Sequence, residues 1–358
     1  MKNILLPIAA LSKFKYIYAI LLLTILIFSC KKEVEEKEKN IIKNEKGYAL
    51  GTTYNIKYEN LVDDVDFKKE IEKVIEEVNK SMSTYIPSSD ISKINKGDSS
   101  IIVDAYFKEV FYKAKEVWKK TEGTFDPTVG SLVNAWGFGP EDQLNNISQT
   151  QIDSILNYVG FEKLILKDDG RIIKEHPEIF LDFNALAKGY TIDLIGRVFD
   201  KYKIDNYLIE LGGEILVKGK NPDNKNDWTL AIDDPSQEDL ETERRFITTL
   251  KLSNAAMATS GNYRKFRVDS KTGERYVHTI DPITGYSKKS NVLSASVIAS
   301  TCMEADAYAT AFMAMDLEKT KSLLPNLDNI EAYIVFIHEN DSLQIFSTPG
   351  FKDLLPDD

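Results

Sequence analysis

The stretch that most constrains this chain is Ser300 to Met315, STCMEADAYATAFMAM. Small and apolar residues occupy nearly every side of it, and a helix that is apolar all round has to be buried. Thr301 and Glu304 have the spacing of a capping box, which predicts a helix beginning there. Asp306 and Thr310 lie four residues apart, so they share one face of that helix. A buried carboxylate is costly unless it is paired or bound to a metal, and the rest of the chain must supply that partner. Two oxygens on one face, with no His beside them, suit a hard cation such as Mg²⁺. A buried Asp–Thr hydrogen-bond network is the competing reading, and the pair alone does not decide between them.

The length of 358 residues and the 43% hydrophobic content allow a sizeable core, in one large domain or two small ones. The net charge is −11, and the first thirty residues bring Lys2, Lys13 and Lys15 without an acid, so the remainder is more acidic still. Such a balance argues against a nucleic-acid binder. A bound phosphate would have to be held by local groups or through a metal. The lysines precede an apolar run, Ile17 to Phe28, that is short for a membrane span and has the form of a signal peptide. Ile27-Phe28-Ser29-Cys30 resembles a bacterial lipobox, with the bulky Phe28 as a departure, and makes Cys30 the expected lipidated residue. That leaves Cys302 alone, so no disulfide within the chain is expected. The expected organisation is a lipoprotein signal peptide over 1–29, a lipid anchor and Lys/Glu-rich tether over 30–46, and a folded domain over 47–358.

Within that domain the patterns predict a strand at Tyr48 to Tyr58 broken by Gly51, and amphipathic helices at Val65 to Met82 and Ala105 to Lys120. Ser83 to Lys96 reads as polar turns. Gly123 to Gly139 is glycine- and aromatic-rich, either a wide surface loop or the wall of a site. A short helix follows Ser148, and a hairpin turns at Asp168-Asp169-Gly170. Ile179 to Phe183 reads as a short buried strand leading into a helix over Ala185 to Tyr202. Later strands are expected at Tyr207 to Lys218, Trp228 to Ile232, Phe246 to Leu252, Ala255 to Val268, Arg275 to Ile280, Leu293 to Ala299, Ala332 to Ile337 and Leu343 to Ser347. The mixture predicts an α/β or α+β fold, mixed sheet layers with flanking helices and antiparallel strands.

Several segments could carry chemistry. In Leu181-Asp-Phe-Asn-Ala-Leu-Ala-Lys-Gly-Tyr190, Lys188 near a helix start opposes the helix dipole. An anion at that end would relieve it; a solvated lysine is the plainer alternative. Asp182 is either a turn acid or a ligand contact. Glu210-Leu-Gly-Gly-Glu214 fits a tight turn. His278, one of three histidines, adjoins the turn signature Asp281-Pro282 with Gly285.

Taken in order, these segments resemble the ApbE family, the FAD:protein FMN transferases. The resemblance runs from about Tyr48 to Ser347. It rests on Leu50-Gly-Thr-Thr53, Met82-Ser-Thr-Tyr85, Gly123-Thr-Phe-Asp126 through Trp136-Gly-Phe-Gly139, Leu181-Asp182 with Ala187-Lys-Gly189, Glu210-Leu-Gly-Gly213, Ala258-Thr-Ser-Gly261, His278 with Asp281-Pro282, and Ala305-Asp-Ala-Tyr-Ala-Thr310. The resemblance implies Mg²⁺ held by Asp306, Thr310 and the backbone oxygen of Ala185, bridging the diphosphate of FAD. It implies FAD contacts at Leu50, Tyr85, Thr124, Phe125, Asp126, Asp182, Lys188 and His278, with Leu50 standing where members often carry Met. His278 and Asp306 become the expected catalytic residues. The implied reaction transfers FMN from FAD to a threonine hydroxyl of an acceptor redox protein bearing a motif like Asp-x-x-Ser/Thr-Gly-Ala-Thr, and releases AMP. Mg²⁺-dependent hydrolysis of FAD and flavin binding without turnover are the alternatives. Many members are periplasmic lipoproteins, which agrees with Cys30 and predicts a lipid-anchored protein of the bacterial envelope facing the periplasm.

Overall fold

The computed structural model describes residues 41–141, 144, 147–237, 244–261, 266–268, 275–277, 279–287, 291–338 and 342–356. The expected signal peptide over 1–29, Cys30 and His278 lie outside the described residues. The described chain forms an eight-stranded sheet in the order β1-β2-β5-β6-β9-β12-β13-β14, antiparallel at every pairing. The strands are β1 (Ile41–Ala49), β2 (Thr52–Asn60), β5 (Tyr207–Leu211), β6 (Glu214–Lys218), β9 (Ala255–Gly261), β12 (Val292–Ala299), β13 (Glu331–Ile337) and β14 (Leu343–Ser347). Three two-stranded ribbons accompany it: β3 (Leu164–Leu166) with β4 (Ile172–Lys174), β7 (Trp228–Asp233) with β8 (Phe246–Leu252), and β10 (Phe266–Val268) with β11 (Arg275–Val277).

Strand alternation sends successive side chains to opposite faces, and both faces of this sheet are covered. Ala256 and Ala258 of β9, Ala295 and Val297 of β12, and Ala332 and Ile334 of β13 enter the main core. Their neighbours Met257, Ile298, Tyr333 and Val335 enter a second core with Trp228, Leu230 and Leu250 of the β7–β8 ribbon. The main core packs the sheet against α1 (Phe67–Met82), α3 (Ala105–Lys120), α6 (Asn184–Lys201) and α7 (Cys302–Ala314). Shorter helices are α2 (Asp90–Asn95), α4 (Gly130–Ala135), α5 (Gln149–Leu156), α8 (Leu317–Leu323) and α9 (Pro349–Lys352).

Most expected elements are present, and the exceptions have local causes. The segment Ile41 to Lys46, read from sequence as tether, is the first half of β1 and pairs residue by residue with Lys57 to Asn60 and their neighbours in β2. The break at Gly51 is a two-residue hairpin turn, with Leu50 at φ 47° and Gly51 at φ 78°. Leu50 is not a residue that favours this backbone region, which is why the turn was not visible from sequence. Ile179 to Phe183 is not a strand. Its Ile179, Leu181 and Phe183 are buried in alternation as a strand's would be, but its backbone is held by other groups. The Asn95 side chain accepts from the Leu181 N–H at 2.8 Å and donates to its carbonyl at 2.9 Å. The Asp182 N–H donates to the Pro127 carbonyl at 2.8 Å.

Candidate functional site

α7 is the buried helix that the sequence demands: Asp306 is 1% exposed, and every residue from Cys302 to Ala314 except Glu304 and Thr310 is buried. Its start is fastened by side chains. Thr301 accepts from the Glu304 N–H, while the Glu304 carboxylate pairs with Lys113 at 3.1 Å rather than closing the second half of a capping box. The other two free N–H groups of the first turn, on Cys302 and Met303, donate to the carboxylate of Asp193 on α6 at 2.8 and 2.9 Å. Burial raises the Asp193 carboxyl to about 6 against the lowering effect of these two bonds.

The two helices touch closely because Gly189 faces α7. A Cβ there would stand 2.6 Å from the Cys302 carbonyl carbon and 2.8 Å from Met303 Cα. With no side chain in the way, the Gly189 N–H donates to Asp306 Oδ2 at 3.1 Å. In an α-helix that same N–H serves the carbonyl four residues back, which is Ala185. Ala185, one turn before Gly189 on α6, lines the same cleft as Asp306. Lys188, one residue earlier, reaches Glu214 Oε1 at 2.8 Å and Asp306 Oδ1 at 3.4 Å. It is neither a solvated lysine nor a free anion receptor in this state. Burial opposes its charge, but Asp306 and Glu214 outweigh that and hold its pKa above the ordinary lysine value. Burial raises both carboxyls, with Lys188 acting in the opposite direction. Glu214 Oε2 is buried without a hydrogen-bond partner among the described residues. On the next turn of α7 the Thr310 hydroxyl lies 3.4 Å from that of Ser260 on β9.

Ala185, Lys188, Ser260, Asp306 and Thr310 line a cleft of about 720 Å³, within the range of small-molecule and cofactor sites. The cleft brings together Leu50, Tyr85, Thr124, Phe125, Asp126, Asp182, Ala185, Lys188, Asp306 and Thr310, residues assembled from distant parts of the chain. Gly123 to Gly139 is therefore a wall of the site and includes α4. Thr124 Oγ1 is buried with no hydrogen-bond partner among the described residues, as expected of a group awaiting a polar ligand. Asp126 is more committed. It accepts from the Thr128 N–H and hydroxyl at 2.8 and 2.6 Å and from the Phe161 N–H at 3.0 Å, and burial raises it to about 6. Asp182 accepts from the Asn184 N–H at 2.7 Å while lining the cleft, so it is both a turn acid and a site residue. Tyr85 is 60% exposed at the mouth. Glu210-Leu-Gly-Gly-Glu214 is the tight turn between β5 and β6, with Gly212 and Gly213 at positive φ.

Sequence reasoning missed Glu214, Asp193 and Ser260 as site residues. Glu214 and Ser260 belong to motifs that were noticed, but as turn and strand. Asp193 left one signal, an acid among Thr191, Ile192, Leu194 and Ile195 on a helix whose other residues are mostly apolar.

Fold and site together define a single-domain α/β protein of antiparallel sheet and flanking helices, with a carboxylate–lysine cluster and hydroxyls at the floor of a dinucleotide-sized cleft. Residues 50–334 match the model of the ApbE family. A Vibrio cholerae protein named FAD:protein FMN transferase is 33% identical over 337 residues, covering 92% of this chain and 96% of that protein. The Escherichia coli K12 protein of the same name is 30% identical over 297 residues, covering 81% and 82%. Among solved structures, the flavin transferase ApbE from Vibrio cholerae superposes with a TM-score of 0.78 at 33% identity, over 88% of this chain and 99% of that one. The ApbE protein of Thermotoga maritima gives 0.76 at 26% identity, over 88% and 100%. The chain belongs to the ApbE family.

Proposed function

We propose that this protein is an FAD:protein FMN transferase that uses Mg²⁺ and places FMN on a threonine hydroxyl of an acceptor redox protein. The relatives' shared name supports the transferase reading. The observation that carries it here is that Asp306, Thr310 and Ala185 line one cleft together with Lys188, whose ammonium reaches Asp306. The donors they offer fit a hard cation: one carboxylate, one hydroxyl and one backbone carbonyl, with no cysteine or histidine among the described residues that line the cleft. Asp306, Thr310 and the Ala185 carbonyl would hold the ion. When bound, Mg²⁺ neutralises negative charge on the diphosphate oxygens of FAD.

The chain's own groups do the rest. The Lys188 ammonium, carried by Glu214 when Asp306 is engaged elsewhere, sets a second positive charge at the floor. Thr124 offers its unpartnered hydroxyl, and Asp182 and Tyr85 flank the entrance. The acceptor threonine oxygen forms a bond to the FMN-side phosphorus as the phosphoanhydride bond breaks. AMP leaves with the electron pair of that bond, and the hydroxyl proton passes to a base. His278, outside the described residues, is the candidate base, next in sequence to Thr279 and Ile280, which line the cleft. The envelope location follows the same reading: Cys30 becomes the lipidated first residue, and the domain faces the periplasm from a bacterial membrane.

Incubation of the protein with FAD, Mg²⁺ and a soluble acceptor domain carrying Asp-x-x-Thr-Gly-Ala-Thr tests the reading. The expected result is a covalently flavinylated domain and equimolar AMP, both lost in Asp306→Ala. FMN and AMP without labelling would make the protein a hydrolase. Bound FAD without turnover would make it a flavin carrier.

A further inference from the structure

We propose that the groove between β1 and α1 is the track along which an extended segment of the acceptor polypeptide docks, delivering its hydroxyl to the cleft. The inference rests on the transferase reading above and names the surface that reading requires. A cleft that already holds a dinucleotide can be reached by a second, polymeric substrate only over its rim. The groove, of about 540 Å³, opens at that rim: Asn79 and Ile86 border both it and the cleft. Leu50 and Gly51, in the turn that ends β1, line the cleft at the same corner.

Three features suit an extended polypeptide. Among the described residues β1 is the edge of the eight-stranded sheet, with β2 as its one hydrogen-bonded neighbour. Such an edge accepts a further strand through backbone pairing. The α1 side of the groove runs from Lys68 to Asn79, about 16 Å at the helical rise or about five residues of extended chain. One aromatic side chain stands on the path: Tyr48 is 72% exposed on β1, while the buried Tyr54 ring packs over Gly47, whose missing side chain makes room for it. An exposed tyrosine is a frequent anchor of protein interfaces. The lining charges are mixed, with Glu72 and Glu76 beside Lys68 and Lys80 on α1 and Lys46 on β1. That balance fits a polar peptide bearing both signs and does not fit a polyanion.

The test uses Tyr48→Ala and Glu76→Lys, both away from the cleft floor, with the soluble acceptor domain of the previous section. Each variant is expected to raise the KM for the acceptor about tenfold, with the dissociation constant for FAD unchanged. In the wild-type protein, hydrogen exchange of the β1 amides is expected to slow when the acceptor domain is added. Labelling of the domain with neither effect would overturn the groove while leaving the transferase reading intact. No labelling by the wild-type protein would refute that reading and the groove's role with it. Slowed exchange in β1 on raising the concentration of this protein alone would assign the edge to a second copy, and would also overturn the proposal. The exchange measurement needs no variant, so it decides the matter even if a substitution impairs folding.

Discussion

Gly189→Ala puts the construction of the site to its most direct test. The added methyl would meet the main chain of the first turn of α7, at 2.6 Å from the Cys302 carbonyl carbon and 2.8 Å from Met303 Cα. Carbon atoms pack at about 3.5–4.0 Å, so α6 and α7 must part by about 1 Å. Backbone cannot swing aside as a side chain can. The Gly189 N–H to Asp306 bond, now 3.1 Å, would then stretch past useful length, and the two bonds from Cys302 and Met303 to Asp193 would weaken. Overpacking costs about 1–3 kcal/mol, and a hydrogen bond to a charged group contributes about 1.5–3 kcal/mol. The better helix propensity of alanine returns about 1 kcal/mol. The net expectation is a loss of about 1.5–5 kcal/mol, a fall in Tm of roughly 2–8 °C for a domain of this size. Because misplacement by about 1 Å can cost about a hundredfold in rate, transfer activity should fall by that order. Gly196→Ala is the control. It lies on the same helix, but its methyl would meet Leu216 Cδ2 at 2.8 Å, the end of a side chain that can move. Thermal melts and kcat/KM for both variants decide the matter. A Gly189→Ala protein with wild-type Tm and activity, or a Gly196→Ala protein equally damaged, would refute the argument.

Other expectations follow from the same geometry. Glu214→Gln removes the second negative charge beside Lys188 and leaves Asp306 as the one anionic partner of the ammonium, so the proposed Mg²⁺ would have to compete harder for that carboxylate. Titration calorimetry with Mn²⁺ as probe should show affinity lower on the order of tenfold, one interaction of about 1.4 kcal/mol; unchanged affinity would detach Glu214 from the metal site. Asp126 and Asp193 are each raised by burial from the ordinary 3.8 to about 6. Between these values the native protein binds their protons more tightly than the unfolded chain, so their contribution to stability is fully present below 3.8, falls as pH rises from 3.8 to about 6, and is level above that. Urea unfolding of the wild type against Asp193→Asn across that window should show the slope flattened in the variant. Cys30→Ser should abolish incorporation of labelled lipid and release the protein from the membrane fraction; retention of the label would place the modification elsewhere.

Local pattern was enough for a good part of the site. The all-round apolar character of Ser300 to Met315 makes α7 a buried helix, and spacing alone sets Asp306 and Thr310 on one face of it. The capping residues Thr301 and Ser148, the helix over Ala105–Lys120 and the turn at Gly212-Gly213 are similarly short-range, each decided by residues within about one or two helical turns or a hairpin. The ordered motifs also marked Thr124, Asp182 and Ala185 as belonging together, and the cleft gathers them. What the sequence by itself could not determine is which of those groups touch. Lys188 looked like a cation wanting an anion at a helix end, and only the packing of α6 on β6 and α7 turns it toward Glu214 and Asp306, 26 and 118 residues away. Asp193 caps a helix 109 residues downstream, and Asn95 stands in for a strand beside Leu181. β1 gains its strand from pairing with β2, against a composition that reads as tether. Such pairings depend on which surfaces the folded sheet brings together, and no spacing rule spans that distance. The Asp306 carboxylate therefore had its need for a partner written in the chain. The tertiary structure supplied the partners: the ammonium of Lys188 and the N–H of Gly189.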